Sequence, residues 1–226
     1  MLTEKEAEII KKYNINLHSL EQEQIQLAKN LQIEDYIDFS NLYSAAGIDN
    51  EYQGNKILSS ISVLNSSLEI LDQTYSIGKM SFPYISGFRA YREVPTMVAA
   101  FEKLEERPDV IFVKGHGINH PRLGLASHFS LLTSTAVIGI SDQLLVGEIR
   151  GDDIVYNRKI VGKIYQSKKG SKPLYVSPGN LISVETALKL AKRFVMIPHK
   201  LPEPLHLAKK YGKKMGEEIF MNNLGE

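Results

Sequence analysis

The 226-residue sequence has no cysteine. That absence removes disulfides, thiolate catalysis and cysteine-ligated metal together, and it predicts a reducing, cytoplasmic setting. An excess of charge is missing too. With 27 Lys and Arg against 26 Asp and Glu the formal net charge is +1, so no global basic field announces a nucleic-acid partner, and any such contact needs a local patch. No apolar run approaches the roughly 20 residues that cross a bilayer. The opening MLTEKEAEIIKK has no signal-peptide core, so a soluble protein without a membrane partner is expected. What is present is 43% hydrophobic residues, ample for a core, and a length that suits one domain over 1–226.

From Leu2 to about Leu31 charged, helix-favouring residues carry Leu20, Ile25, Leu27 and Leu31, which predicts an amphipathic helix covering the core. Three strand-like runs follow, LYSAAGI from Leu42, KILSSISVL from Lys56 and LEILDQTYSI from Leu68. The turn chemistry of DNEYQGN and NSS between them predicts an antiparallel meander. EVPTMVAAFEKLEERP reads as a helix ended by Pro108, and DVIFV as a strand buried on both faces. Next come a helix at GLASHFSLL, a strand at AVIGI, a lysine-rich hairpin region to about Lys172 and a strand at PLYVS. A helix capped by Ser183, a last helix from about Glu203 and a fraying MNNLGE tail complete the chain. The expected fold class is α/β: a mixed, ribonuclease H-like sheet of three antiparallel strands and then strand-helix alternation, flanked by helices.

The buried strand DVIFV delivers a lysine, Lys114, to the glycine- and histidine-rich loop GHGINHPR. An ammonium is chemically odd where a carboxylate or other metal-binding group would be useful. His116 and His120 are four apart, but Gly117 and Pro121 argue against the helix that would align them on one metal. His128 reads as a hydrogen-bonded packing residue.

Five stretches together resemble the endonuclease V family: AAGID ending at Asp49, PYISGFRAYREVP from Pro83, PDVIFVKGHGINHPRLGLASHF from Pro108, VIGI from Val137 and PLYVSPGNLISVETAL from Pro173. They run in order from about Glu21 to Lys209. The resemblance implies a nuclease that uses Mg²⁺ or Mn²⁺ to cut DNA or RNA near deaminated bases such as inosine, a DNA-repair chemistry. Hard oxygen ligands would hold that cation. It also implies that Asp49 and Glu93 are retained ligand positions, while Lys114 and Asn180 stand where the family has Asp and His. Asp142 replaces a family Lys, and Ser86 a common Pro. The substrate positions it implies are Pro83, Tyr84, Ile85, Gly115, His116, Gly117, Gly124, Leu125, Ala126 and Ser127.

Three carboxylates would give a charge of −3, whereas Asp49, Glu93 and a protonated Lys114 give −1. The expectation is therefore an ammonium lodged between two carboxylates and no bound cofactor, with metal on Asp49 and Glu93 only if the chain is active. Glu185 is an alternative ligand, or simply a helix-dipole acid. Tyr84 is either a base-stacking wedge or a loop aromatic. The glycines of GHGINHPR either admit a base or phosphate or make a tight connection. Arg158, Lys163, Lys168, Lys169 and Lys172 form the densest basic run, either a phosphate contact or a solvated hairpin tip. Lys209, Lys210, Lys213 and Lys214 read as a solvent face. The functional expectation is a nucleic-acid-binding pseudoenzyme of this family. An active nuclease and a noncatalytic protein-interaction subunit are the alternatives.

Overall fold

The computed structural model describes residues 3–168 and 170–222, with side chains as far as Ile219. Lys169 and, apart from the helical backbone of Met221 and Asn222, the tail lie outside the described residues. The amino-terminal region forms two helices, α1 (Glu4–Lys12) and α2 (Leu17–Ala28), rather than one. Asn14 adopts a positive φ of 49° and Asn16 restarts the helix by accepting from the Ser19 amide. The face that α2 buries also differs from expectation. Ile25 is exposed and Gln24 is fully buried, because its side-chain amide bonds the Gly87 carbonyl at 3.1 Å and accepts from Arg122 Nε at 2.7 Å.

The meander is present as β1 (Ser44–Gln53), β2 (Lys56–Asn65) and β3 (Ile70–Lys79). The first turn is tighter than DNEYQGN suggested. β1 continues to Gln53, paired with Lys56, and only Gly54 and Asn55 make the bend. Asp49 therefore sits inside a strand. Helix α3 (Arg89–Phe101) starts one turn earlier than Glu93 and ends before Pro108. Its end is capped by Arg107, which donates to the Phe101 carbonyl and stacks on the Phe101 ring.

Strands β4 (Val110–Lys114) and β5 (Ala136–Ser141) flank α4 (Leu125–Thr133) and run parallel to β1. The hairpin region supplies β6 (Glu148–Arg150), β7 (Asp153–Tyr156) and β8 (Lys159–Tyr165), and β9 (Leu174–Asn180) returns antiparallel to β5. Ser183 caps α5 (Val184–Phe194) by accepting from the Thr186 amide at 3.2 Å. The long α6 (Glu203–Asn222) follows.

Among the described residues nine strands form one sheet in the order β3-β2-β1-β4-β5-β9-β8-β7-β6. Period-two alternation splits its side chains into two apolar layers. Ala46, Ile48, Ile111 and Val113 pack with Val94, Met97 and Phe129 of α3 and α4. Ala45, Phe112 and Ile138 pack with Leu190, Phe194 and Leu205 of α5 and α6. This is the mixed α/β architecture expected, with one sheet flanked by helices, and β4 is buried on both faces. Among the described residues no helix is long and apolar enough to cross a membrane.

Candidate functional site

Strand alternation decides which side chains can meet. Gly47 faces α6 so closely that a Cβ would lie 2.2 Å from the Leu205 amide nitrogen, and Glu51 approaches Gly212 on the same face. Asp49, midway between them, shares that face. Asn50 points the other way, where its side-chain amide donates to Glu93 Oε2 at 2.9 Å and accepts from Ser59 Oγ at 2.6 Å. Asp49 and Glu93, the two carboxylates expected to share a site, thus lie on opposite sides of the sheet.

Glu93 is 2% exposed and fully engaged. Arg89, one turn earlier on α3, grips it with Nε to Oε1 at 2.7 Å and Nη2 to Oε2 at 2.8 Å, a two-pronged charge-assisted pair. Arg89 also reaches the Lys114 carbonyl at 3.3 Å. Burial, and then the negative charge of Glu93, push the Tyr52 hydroxyl above its ordinary range.

The expected lodging of Lys114 between Asp49 and Glu93 does not occur. Its ammonium pairs with the Asp142 carboxylate, whose other oxygen accepts from Lys200 Nζ at 2.9 Å. The reason is local competition. Arg89 already neutralises Glu93, and Asp142, just past the end of β5, offers Lys114 a half-exposed partner that costs little desolvation.

Asp49 is left without an ion pair to either residue. Burial pushes its carboxyl from 3.8 up to about 6, and the Asn50 amide and the charges of Lys209 and Lys114 only partly offset that.

Asn180 is not part of this cluster. Lys114 pairs with Ile140 and Ile140 with Val176, so Asn180 lies four residues farther along β9, roughly 13 Å away at about 3.3 Å per residue. It is buried and accepts from the Gln32 amide at 2.7 Å, which ties the segment after α2 to the sheet. Lys209 of α6 is exposed, as expected of a solvent face, and its charge still reaches Asp49. Lys209 and Arg89 were both missed as site residues. The only sequence signal for Arg89 was its four-residue spacing to Glu93, visible once the helix is allowed to start before Glu93.

Glu185 bonds Lys163 at 2.7 Å, and Lys163 also bonds Asp153 at 2.6 Å. Glu185 and Lys163 are thus each engaged in an ion pair. His116 Nε2 lies 3.0 Å from both the Gln143 carbonyl and Ser141 Oγ. His120 Nδ1 accepts from the Arg122 amide, and burial pushes this imidazole down to about 3. These two histidines have separate hydrogen-bond partners. His128 packs edge-on against Tyr91, yet its Nδ1 has no hydrogen-bond partner, contrary to expectation.

A cleft of about 170 Å³ is lined by Tyr84, Arg89, His116, Leu125, Gln143 and Leu145, among others. Tyr84 is 57% exposed at its rim, whereas Ile85 is fully buried and Pro83 half-buried. Gly115 packs on the Leu125 side chain, Gly117 on the Pro178 carbonyl and Gly124 on the carbonyls of His116 and Gly117. The GHG glycines thus make a tight connection, and their space is filled by the protein itself. Ala126 and Ser127 are buried inside α4 with no surface to offer a ligand.

This donor set does not fit a Mg²⁺ or Mn²⁺ centre. Such a site needs several free hard oxygens. Here Glu93 is taken by a guanidinium, Asp142 by two ammonium groups, and Asp49 is buried with Lys209, Glu51 and Lys114 as its charged neighbours.

The sequence model of the Endonuclease V family matches residues 25–210. The chain is 35% identical over 206 residues to Endonuclease V of Thermosipho melanesiensis, covering 85% of this chain and 90% of that protein. It is 36% identical over 183 residues to Endonuclease V of Desulfurococcus amylolyticus, covering 78% and 83% respectively. Among solved structures, Endonuclease V of Bacillus subtilis superposes with a TM-score of 0.84 at 25% identity, covering 93% of this chain and 96% of that one. Endonuclease V of Ciona intestinalis, in complex with a 24mer DNA containing an inosine followed by a ribo-adenosine, superposes with a TM-score of 0.81 at 25% identity, covering 90% and 98%.

Proposed function

Since this chain belongs to the endonuclease V family, we propose that it binds nucleic acid carrying deaminated bases such as inosine, and that it cuts such strands far more slowly than its metal-using relatives or not at all. The relative from Ciona intestinalis was solved on inosine-containing DNA, which supports this substrate class. The cleft beside Tyr84 is smaller than the roughly 300–1,000 Å³ of drug-sized sites and suits a single ring system. Tyr84 stacks on an adjacent base there, and Leu125 and Leu145 supply apolar walls.

The observation that carries the loss of cutting is the pairing of Glu93 with Arg89. A carboxylate held by two guanidinium hydrogen bonds has no free oxygen pair for a cation, and an ammonium on Lys114 supplies positive charge rather than a ligand. Without a metal to polarise water, phosphodiester hydrolysis loses its principal source of nucleophile and charge stabilisation.

The test pairs binding with cleavage. Fluorescence anisotropy on single-stranded DNA and RNA, with and without inosine, is expected to show tighter binding to the inosine strands. The same strands with Mg²⁺ or Mn²⁺ are expected to stay intact. Cleavage by the unaltered protein that disappears in Asp49→Ala would overturn the loss of activity. Failure to bind any strand would overturn the nucleic-acid reading and favour a protein-interaction role.

A further inference from the structure

Outside the region around Asp49 and Glu93, the described residues contain one group of side chains with the composition of a transition-metal site. His199, Glu203 and His206 bring one ligand atom each to within 4.8 Å of the others. We propose that these three residues bind a Zn²⁺ ion, leaving a fourth coordination position open to water.

The backbone holds the group together from two sides. Glu203 and His206 share one face of the first turn of α6, three residues apart. His199 comes from the loop before it, whose ends are clamped by the Val195–Pro202 bridge. Within the loop the His199 amide donates to the Met196 carbonyl at 2.7 Å, and the Lys200 carbonyl accepts from Ser167 Oγ at 2.8 Å. The His206 amide donates to the Pro202 carbonyl at 2.9 Å, which starts the helix in register with the loop.

The side chains already converge. His199 Nδ1 and Glu203 Oε2 are 2.7 Å apart, and the two imidazole rings lie face to face with centroids 3.7 Å apart and planes 17° from parallel. Zinc bonds of about 2.0–2.1 Å place tetrahedral ligands roughly 3.3 Å from one another. Binding draws together ligand atoms that now lie within 4.8 Å of one another and turns the two stacked rings toward the ion. Two His and one Glu, with a fourth position open, are borderline ligands that favour zinc over magnesium. None of the three is fully exposed, and Glu203 is the most enclosed at 14%. The adjacent Lys200 is turned away into its pair with Asp142, so its charge does not compete directly for the carboxylate.

This site does not depend on the binding of nucleic acid, and its test reads the metal itself. The full-length chain, stripped with a chelator, is titrated with ZnCl₂ alone, and metal content is measured by mass spectrometry after desalting. One zinc per chain is expected, with a rise in thermal midpoint of about 5–10 °C at a hundredfold excess over Kd. Co²⁺ in place of Zn²⁺ is expected to give the intense visible bands of a four-coordinate ion. His206→Ala and Glu203→Gln, checked for folding by circular dichroism, should each weaken zinc binding roughly tenfold or more, while Asp49→Asn leaves it unchanged. The proposal is overturned by absence of zinc uptake, by uptake unaffected in folded Glu203→Gln, or by uptake lost in Asp49→Asn and kept in His206→Ala.

Discussion

At Asp49, burial strips water from a carboxylate that has only Lys209 and Lys114 as favourable charges, and its pKa rises from 3.8 to about 6. Below about pH 4 the group is protonated whether the chain is folded or not. Between about 4 and 6 the folded chain keeps a proton that the unfolded chain releases, so stability falls as pH rises. Above the folded value the full cost is present. Asp49→Asn should therefore stabilise the protein by about 1–3 kcal/mol at pH 8 and by almost nothing at pH 3.5. Urea titrations at the two pH values measure this, and an equal effect at both would contradict it. At Glu93 the logic reverses, because the charge is buried with its partner. Arg89→Ala leaves it uncompensated and should cost about 2–3 kcal/mol, less than a fully enclosed pair because Arg89 is partly solvated. Adding Glu93→Gln should restore part of that stability. A double variant less stable than Arg89→Ala would show that the two groups do not act as a pair.

The position of each element turns these residues into a site or keeps them apart. Starting α3 at Arg89 puts Arg89 and Glu93 on one helical face, and carrying β1 through Gln53 sends Asp49 and Asn50 to opposite sides of the sheet. The close approach of α6 to Gly47 then brings Lys209 toward Asp49. Element α2 shows a different principle, since it is docked by polar contacts more than by an apolar stripe. Gln24 bridges Gly87 and Arg122, Arg122 pairs with Glu21 at 3.0 Å, and Tyr91 donates to the Leu20 carbonyl at 3.2 Å. Gln24→Ala removes one partner of buried groups and should cost about 1–3 kcal/mol locally. Amide hydrogen exchange over 17–28 is expected to quicken while the central strands stay protected. Unchanged exchange in α2 would assign its docking elsewhere.

Over the whole molecule, charge is balanced by pairing as well as by count. Arg89, Lys114, Arg122, Lys163 and Lys200 all have carboxylate partners. These five cations would meet phosphate only by giving up a partner, so contacts made through them should depend on salt only mildly. With about 0.9 in slope per neutralised phosphate on duplex DNA, and about 0.7 on single strands, a log–log slope shallower than about −3 is expected. A slope near −6, measured by anisotropy from 50 to 200 mM salt, would mean that these pairs open on binding.

The sequence by itself determined the elements and the family. Hydrophobic period, turn residues and caps are local properties, and they marked the meander, the buried strand at Val110–Lys114 and the Ser183 cap to within a few residues. The ordered motifs carried the likeness to endonuclease V. The same sequence also placed a lysine, Lys114, at the end of that buried strand, since residue type needs no coordinates. The tertiary structure decided whom each charge would pair with. Strand register moved Asn180 away from the site, the early start of α3 gave Glu93 to Arg89, and the end of β5 gave Lys114 to Asp142. The reason is physical. Pairing depends on distances between residues far apart in the chain and on the competition among all partners within reach, and a one-residue shift in a strand or one turn of helix reverses the outcome.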